Sequence, residues 1–146
     1  MSLSTEQREA AAKEAKNFFN GKISESELNA CLTTVKSGSN SVPAQGSFIC
    51  AVFYWRIHLV QGSKSFTGNA GGIGFVGGGS TNGDIYLASG VTINELLNNT
   101  TSFQFNSAAV YLNVNFFDAN SKFLGSYQGG GIGTCPGTGG GTGVWS

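Results

Sequence analysis

Charge is scarce in this sequence and unevenly placed. The 146 residues include eight basic and eight acidic side chains, and the net charge is zero. Ten of these sixteen precede residue 41, leaving Arg56, Lys64, Asp84, Glu95, Asp118 and Lys122 for the remainder. No basic stripe exists to displace counterions from a phosphate backbone, so nucleic acid is excluded as a partner. Electrostatic attraction to anionic lipid is unsupported for the same reason. Proline occurs twice and histidine once, at His58, which rules out a two-histidine metal site. Cys31, Cys50 and Cys135 form no CxxC spacing, removing zinc-ribbon and dithiol redox readings. They are read as buried free thiols, acting as small apolar residues; a Cys50–Cys135 bridge is the alternative. No stretch reads as a transmembrane segment or a signal peptide, and the Met1-Ser2-Leu3 start leaves the compartment open.

What is abundant is glycine, with 23 residues, interleaved with eleven phenylalanines, four tyrosines and two tryptophans. A disordered linker lacks that apolar mass. Glycine among aromatic and β-branched residues points to a tightly curved sheet. The pattern is also written twice. Ala51-Val52-Phe53 is echoed by Ala109-Val110-Tyr111, Ser63-Lys64 with Phe66-x-Gly68 by Ser121-Lys122 with Phe123-x-Gly125, and Gly71-Gly72-Ile73-Gly74 by Gly130-Gly131-Ile132-Gly133. Each copy is too short for a core of its own, so the two read as halves of one closed β-structure.

Before residue 43 the pattern is helical. Ser4 with Gln7 fits a capping box opening a helix over 4–20, and Asn20-Gly21 stops it. Ser24 with Glu27 caps a second helix ending near Ser37-Gly38, with an apolar stripe of Leu28, Cys31, Leu32 and Val35. This assigns residues 1–42 to a helical hairpin and linker and residues 43–146 to the β domain, the linker itself being Ser39–Ala44. The hairpin's apolar stripe, extended by Phe18, Phe19 and Ile23, is expected to cover an open end of the barrel.

The β domain begins with Ser47–Val60, read as one long apolar strand. It turns at Gln61-Gly62-Ser63-Lys64 into a glycine-studded strand over Ser65–Val76. Asn82-Gly83 is a hairpin signal before Asp84–Ala88, and Asn94–Asn98 reads as one helical turn. Strands follow at Ser102–Phe105, Ala108–Asp118 and Lys122–Tyr127, with short ones near Ile132–Cys135 and Gly143–Trp145. Counting the first strand twice gives about eight. Over 108–118, Val110, Leu112, Val114 and Phe116 take the core face, and Tyr111, Asn113, Asn115 and Phe117 the outer one. In the first copy the bulky face is Phe53, Trp55, Ile57 and Leu59, one residue out of step, which requires a one-residue bulge.

Chemistry is harder to find. Gly72-x-Gly74-x-x-Gly77 matches a dinucleotide fingerprint, but turn and strand residues follow it where the motif needs a helix. His58 with a serine and Asp84 or Asp118 is a formal hydrolase set without a G-x-S-x-G elbow. Paired carboxylates would have to come from Asp84, Glu95 and Asp118. No catalytic, cofactor-binding or metal residues are assigned, and no cofactor is expected. The aromatics are read as filling the barrel, with a lipocalin-like carrier of a small apolar ligand as the alternative. With so few charges outside, a partner must be read through exposed aromatics, and Tyr111, Phe117 and Tyr127 are the candidates.

Four stretches carry a family resemblance: Thr101–Asn106, the LNVNFFD run at Leu112–Asp118, Leu124–Thr134, and the closing Gly139–Trp145. Together with the glycine-rich strand ending Gly74-Phe75, they resemble the virulence-associated proteins of Rhodococcus equi over about residues 45–146. The resemblance implies an all-β fold, a closed eight-stranded antiparallel barrel with an internal pseudo-two-fold and Greek-key-like halves. It also implies a secreted, non-enzymatic protein associated with survival in host phagocytes, without catalytic residues or cofactor. Such a chain would be a monomer acting through its surface on an unknown host or competitor protein or membrane. The helical hairpin and the three cysteines are additions to that pattern.

Overall fold

A computed structural model of the chain describes residues 3–71, 76–108, 111–133 and 135–146. Two helices come first, α1 (Thr5–Phe19) and α2 (Glu25–Ser37). Their starts follow from local chemistry. Ser4 Oγ accepts from Gln7 N at 3.2 Å while Gln7 Oε1 accepts from Ser4 N at 2.9 Å, closing the capping box. Ser24 Oγ accepts from Glu27 N at 3.3 Å. The strands are β1 (Ser41–Ala51), β2 (Tyr54–Gln61), β3 (Lys64–Gly71) and β4 (Gly77–Leu87), then β5 (Ser102–Ala108), β6 (Tyr111–Phe117), β7 (Phe123–Gly133) and β8 (Gly137–Trp145). A short helix, α3 (Ile93–Asn99), joins β4 to β5.

The eight antiparallel strands close into a barrel in the order β1-β2-β3-β8-β5-β6-β7-β4. Advancing every strand number by four leaves this ring unchanged, so β1–β4 and β5–β8 occupy equivalent places. Closure matters for so uncharged a sheet, because open apolar edges would pair with other chains. Phe48, Trp55, Phe66, Phe105, Phe116 and Tyr127 fill the interior. Trp55 lies 4.4 Å from Phe105 and 5.7 Å from Phe48, ring centre to ring centre. Phe66 meets Phe103, Phe116 and Trp145 at 5.3–5.5 Å. At the end of the barrel reached by the β4–β5 connection, α3 lays its buried Leu96 against Gly125.

Several expectations are corrected. The long apolar run is two strands, because the chain reverses at Val52-Phe53 and pairs Ala51 with Tyr54. Neither turn residue has positive φ, so the glycine or asparagine that marks the commonest hairpin turns is missing. The following turn does carry that mark: Gly62 has φ +59° between the paired Gln61 and Lys64. Asn82-Gly83 is no turn at all but lies inside β4. Gly83 serves close packing there, since a Cβ would come 2.0 Å from the Gln128 carbonyl oxygen.

The bulge expected in the first copy is absent from the β1–β2 ladder. Ala108 pairs with Tyr111 as Ala51 pairs with Tyr54. The true equivalence is therefore Ala51 with Ala108, one residue from the echo read in the sequence. Trp55, Ile57 and Leu59 then fall on Leu112, Val114 and Phe116 without adjustment. A register shift does occur in the second copy, where Phe116 pairs with Gly125 and Phe117 with Phe123. The echoes through Gly72–Gly74 and Ala109-Val110 lie partly outside the described residues. β1 also takes in Ser41–Ala44, expected as linker. Finally, α1 and α2 do not cap an end of the barrel. They lie along its wall, α1 against β5 and β8, and α2 against β7 and β4.

Candidate functional site

The sequence candidates separate in space. His58 faces outward on β2, with Ser47 of β1 and Thr67 of β3 as its ladder partners. Ser47 in turn pairs with Ser80, whereas Asp84 pairs with Pro43. Asp84 is thus four residues farther along the strand, about 13 Å away. The other two carboxylates are engaged locally. Glu95 N donates to Thr92 Oγ1 at the start of α3, and Thr92 Oγ1 lies 3.5 Å from Glu95 Oε1. Asp118 Oδ1 accepts from the backbone of Asn120 and Lys122 at 2.8 and 2.9 Å, which shapes the β6–β7 turn. No group of metal-ligating side chains gathers among the described residues. The dinucleotide motif loses its context too: β4 begins at Gly77, and Gly72 and Gly74 lie outside the described residues.

The aromatics expected on the surface are buried. Tyr111 is 7% exposed, Phe117 3% and Tyr127 0%. Tyr111 and Phe117 do lie on the outer face, but the helices cover it; Phe19 of α1 stands 5.0 Å from Phe117. Tyr127 points into the barrel, where its hydroxyl shares a 2.7 Å hydrogen bond with Thr81 Oγ1. Burial pushes its phenol up to about 12, against the opposing effect of the Thr81 bond. Burial also raises Tyr111, with a smaller push from Glu14. The polar residues beside them are equally enclosed. Gln104, Asn113, Asn115, Ser126 and Gln128 are fully buried, although the alternation alone would put them in water.

The cysteines are corrected in the same way. Cys50 and Cys135 form a disulfide, with Cα atoms 6.7 Å apart. Cys31 is the buried free thiol, its ionisation suppressed by burial. The disulfide fixes the base of the β1–β2 tip to the segment between β7 and β8. Tyr54 adds a brace by hydrogen-bonding its hydroxyl to Asn69 Oδ1 on β3.

That tip carries what the sequence reading missed. Phe53 is 74% exposed, and Ile49, Val52 and Tyr54 are exposed with it. Val76 joins them: the β1–β4 ladder ends at Cys50 and Gly77, one residue short of it. Two aromatic side chains, Phe53 and Tyr54, and three aliphatic ones, Ile49, Val52 and Val76, are therefore exposed at one end of the barrel. For the four on β1, β2 and their turn, the sequence signal was the unbroken apolar and aromatic run Phe48–Trp55. Read as a single strand, it left no reason to place Val52 and Phe53 at a tip.

A family model described as Rhodococcus equi virulence-associated protein matches residues 2–146. No curated protein matches the chain. Among solved structures, the virulence-associated protein VapB from the intracellular pathogen Rhodococcus equi is 34% identical with a TM-score of 0.66. The match covers 73% of this chain and 96% of that one. VapD from the same organism is 32% identical with a TM-score of 0.69, over 75% of this chain and 100% of the other. Family match, sequence identity and the closed eight-stranded barrel agree, and this chain belongs to the Rhodococcus equi virulence-associated protein family.

Proposed function

We propose that this chain is a secreted, monomeric, non-enzymatic barrel that acts through its surface, seating the β1–β2 tip in the interface of a host or competitor membrane. The observation that carries this reading is the exposed set Ile49, Val52, Phe53, Tyr54 and Val76. Contiguous apolar side chains on a soluble fold mark interaction sites, and aromatic rings favour the level of lipid headgroups. β1 and β2 carry one full charge between them, Arg56. Apolar burial, not lipid charge, therefore drives the contact. The Cys50–Cys135 disulfide supports secretion, since such bonds persist in oxidising compartments. The ring-filled interior supports surface action over ligand carriage. The separation of His58 from Asp84 along the ladder supports a role without hydrolysis.

The test is flotation with phosphatidylcholine vesicles. Wild type should rise with the vesicles and keep doing so at about 1 M salt, where charge attraction is screened within about 3 Å. Phe53→Ser and Val76→Ser should stay below. Equal behaviour of all three chains removes the reading. A protein captured by wild type and not by Phe53→Ser, without flotation, moves the partner from membrane to protein.

A further inference from the structure

The outer wall of β5, β6 and β7 has the composition of a solvent-facing surface, yet it is closed off. Gln104, Asn106, Asn113, Asn115, Ser126 and Gln128 are at most 1% exposed. A wall meant for permanent burial under helices is better made of apolar residues, because every enclosed polar group must find a partner. Here the partners lie mainly on the wall itself. Asn113 Nδ2 donates to Ser126 Oγ at 2.9 Å, Asn115 Nδ2 to Gln104 Oε1 at 2.8 Å, and Gln104 Nε2 to Asn106 Oδ1 at 2.7 Å. From this set, Asn106 and Gln128 donate to the helices, to the carbonyls of Ala11 and of Thr34 and Val35. The network is therefore largely kept when the hairpin leaves.

While covered, the wall is also incomplete. Gln128 Oε1 and Ser107 Oγ are buried without a hydrogen-bond partner, a cost that a donor or acceptor from outside would relieve. The solved relatives align with 73% and 75% of this chain over 96% and 100% of the solved chains.

We infer that α1 and α2 are a displaceable cover over a binding face for a neutral polyhydroxylated ligand, a glycan chain. The face offers amide donors and acceptors and no charge. A charged ligand finds no counter-charge on it, and an apolar one would strand its amides. An O–H group is the donor that Gln128 Oε1 lacks. Tyr111 on one side and Phe117 on the other end of β6, uncovered together with it, supply ring faces for sugar C–H edges.

The experiment uses the full chain with two loosened variants. Phe19→Ser removes the ring packed on Phe117. Arg8→Ala removes a guanidinium that holds the Val35 carbonyl at 2.8 Å and lies 4.9 Å over the Tyr86 ring. Calorimetric titration with laminarin, mannan and chitin oligosaccharides should show one of them binding about tenfold tighter to both variants than to wild type, since a cover lowers the competent fraction. Adding Gln128→Leu should abolish that gain. In wild type, hydrogen exchange should run faster in α1 and α2 than in β5–β7. Equal binding by covered and loosened chains, no binding by any of them, or hairpin exchange as slow as that of the strands overturns the proposal.

Discussion

One half of the barrel wall faces solvent and the other faces two helices, and equivalent positions differ accordingly. The pairs Ala51–Tyr54 and Ala108–Tyr111 set the correspondence. Arg56 and His58 in the open half stand where Asn113 and Asn115 stand in the covered half. Ser47 and Ile49 likewise correspond to Gln104 and Asn106. A guanidinium enclosed beneath a helix needs a counter-charge, whereas an amide both donates and accepts and can be satisfied by its neighbours. Alternation thus reports which face a residue takes, while the kind of polar residue reports what that face can tolerate.

Inside the barrel the halves differ by exchange. Phe66 and Gly68 on β3 correspond to Gly125 and Tyr127 on β7, through their partners Leu59, Ile57, Phe116 and Val114. Each half puts a ring where the other has glycine. At Gly68 a Cβ would come 2.5 Å from the Phe103 ring, so the glycine is needed by a ring contributed from the other half. Large and small residues alternate across the shared interior, as close packing demands.

The strongest way to break this comparison is to empty equivalent core positions. Trp55→Ala should cost about 3–5 kcal/mol and Leu112→Ala about 2–5 kcal/mol in urea unfolding. Trp55 Nε1 has no hydrogen-bond partner, so its loss is one of packing alone. A tolerated change at either position would mean that the halves do not share one core. Next comes the bond between the halves. Reducing Cys50–Cys135, or replacing Cys50 with Ser, should lower stability by about 2–5 kcal/mol given the 85-residue separation. Thermal melts with and without reductant measure it.

The wall positions sharpen the contrast at smaller scale. Asn115→Leu in the covered half removes the shorter of the two bonds to Gln104 Oε1, leaving only Asn106 Nδ2 at 3.3 Å, and should cost about 0.5–1.5 kcal/mol. His58→Ala at the equivalent open position should stay within about 0.5 kcal/mol. The last effect is one of pH and appears only in alkali. An unfolded tyrosine titrates near 10, while Tyr127 is held protonated to about 12. The stability it contributes is complete below pH 10 and is lost as pH rises towards 12. Tyr127→Phe should flatten melting temperature against pH in that window, and an unchanged slope would contradict the buried placement.

The fold was largely legible in the sequence. Capping residues at Ser4 and Ser24 fixed the helices, and the duplicated glycine–aromatic pattern implied a closed barrel of two halves. The candidate site was much less so. A turn built on Val52-Phe53 has no local signature, because neither residue needs positive φ. Asn82-Gly83 had the signature and made no turn, because Gly83 is required where β4 and β7 approach. The covering of β5–β7 was also out of reach. Asn113 and Asn115 read correctly as outward, but nothing in strand alternation says that a helix lies outside. That single ambiguity moved Tyr111 and Phe117 from candidate contacts to buried residues.

The most direct test sets the two phenylalanines against each other. Phe53 of the open half and Phe117 of the covered half are each replaced with Ser, and both vesicle flotation and melting temperature are measured. Phe53→Ser should lose flotation and keep its melting temperature, while Phe117→Ser should melt earlier and still float. Loss of flotation by Phe117→Ser at unchanged stability, with Phe53→Ser behaving as wild type, would contradict the account.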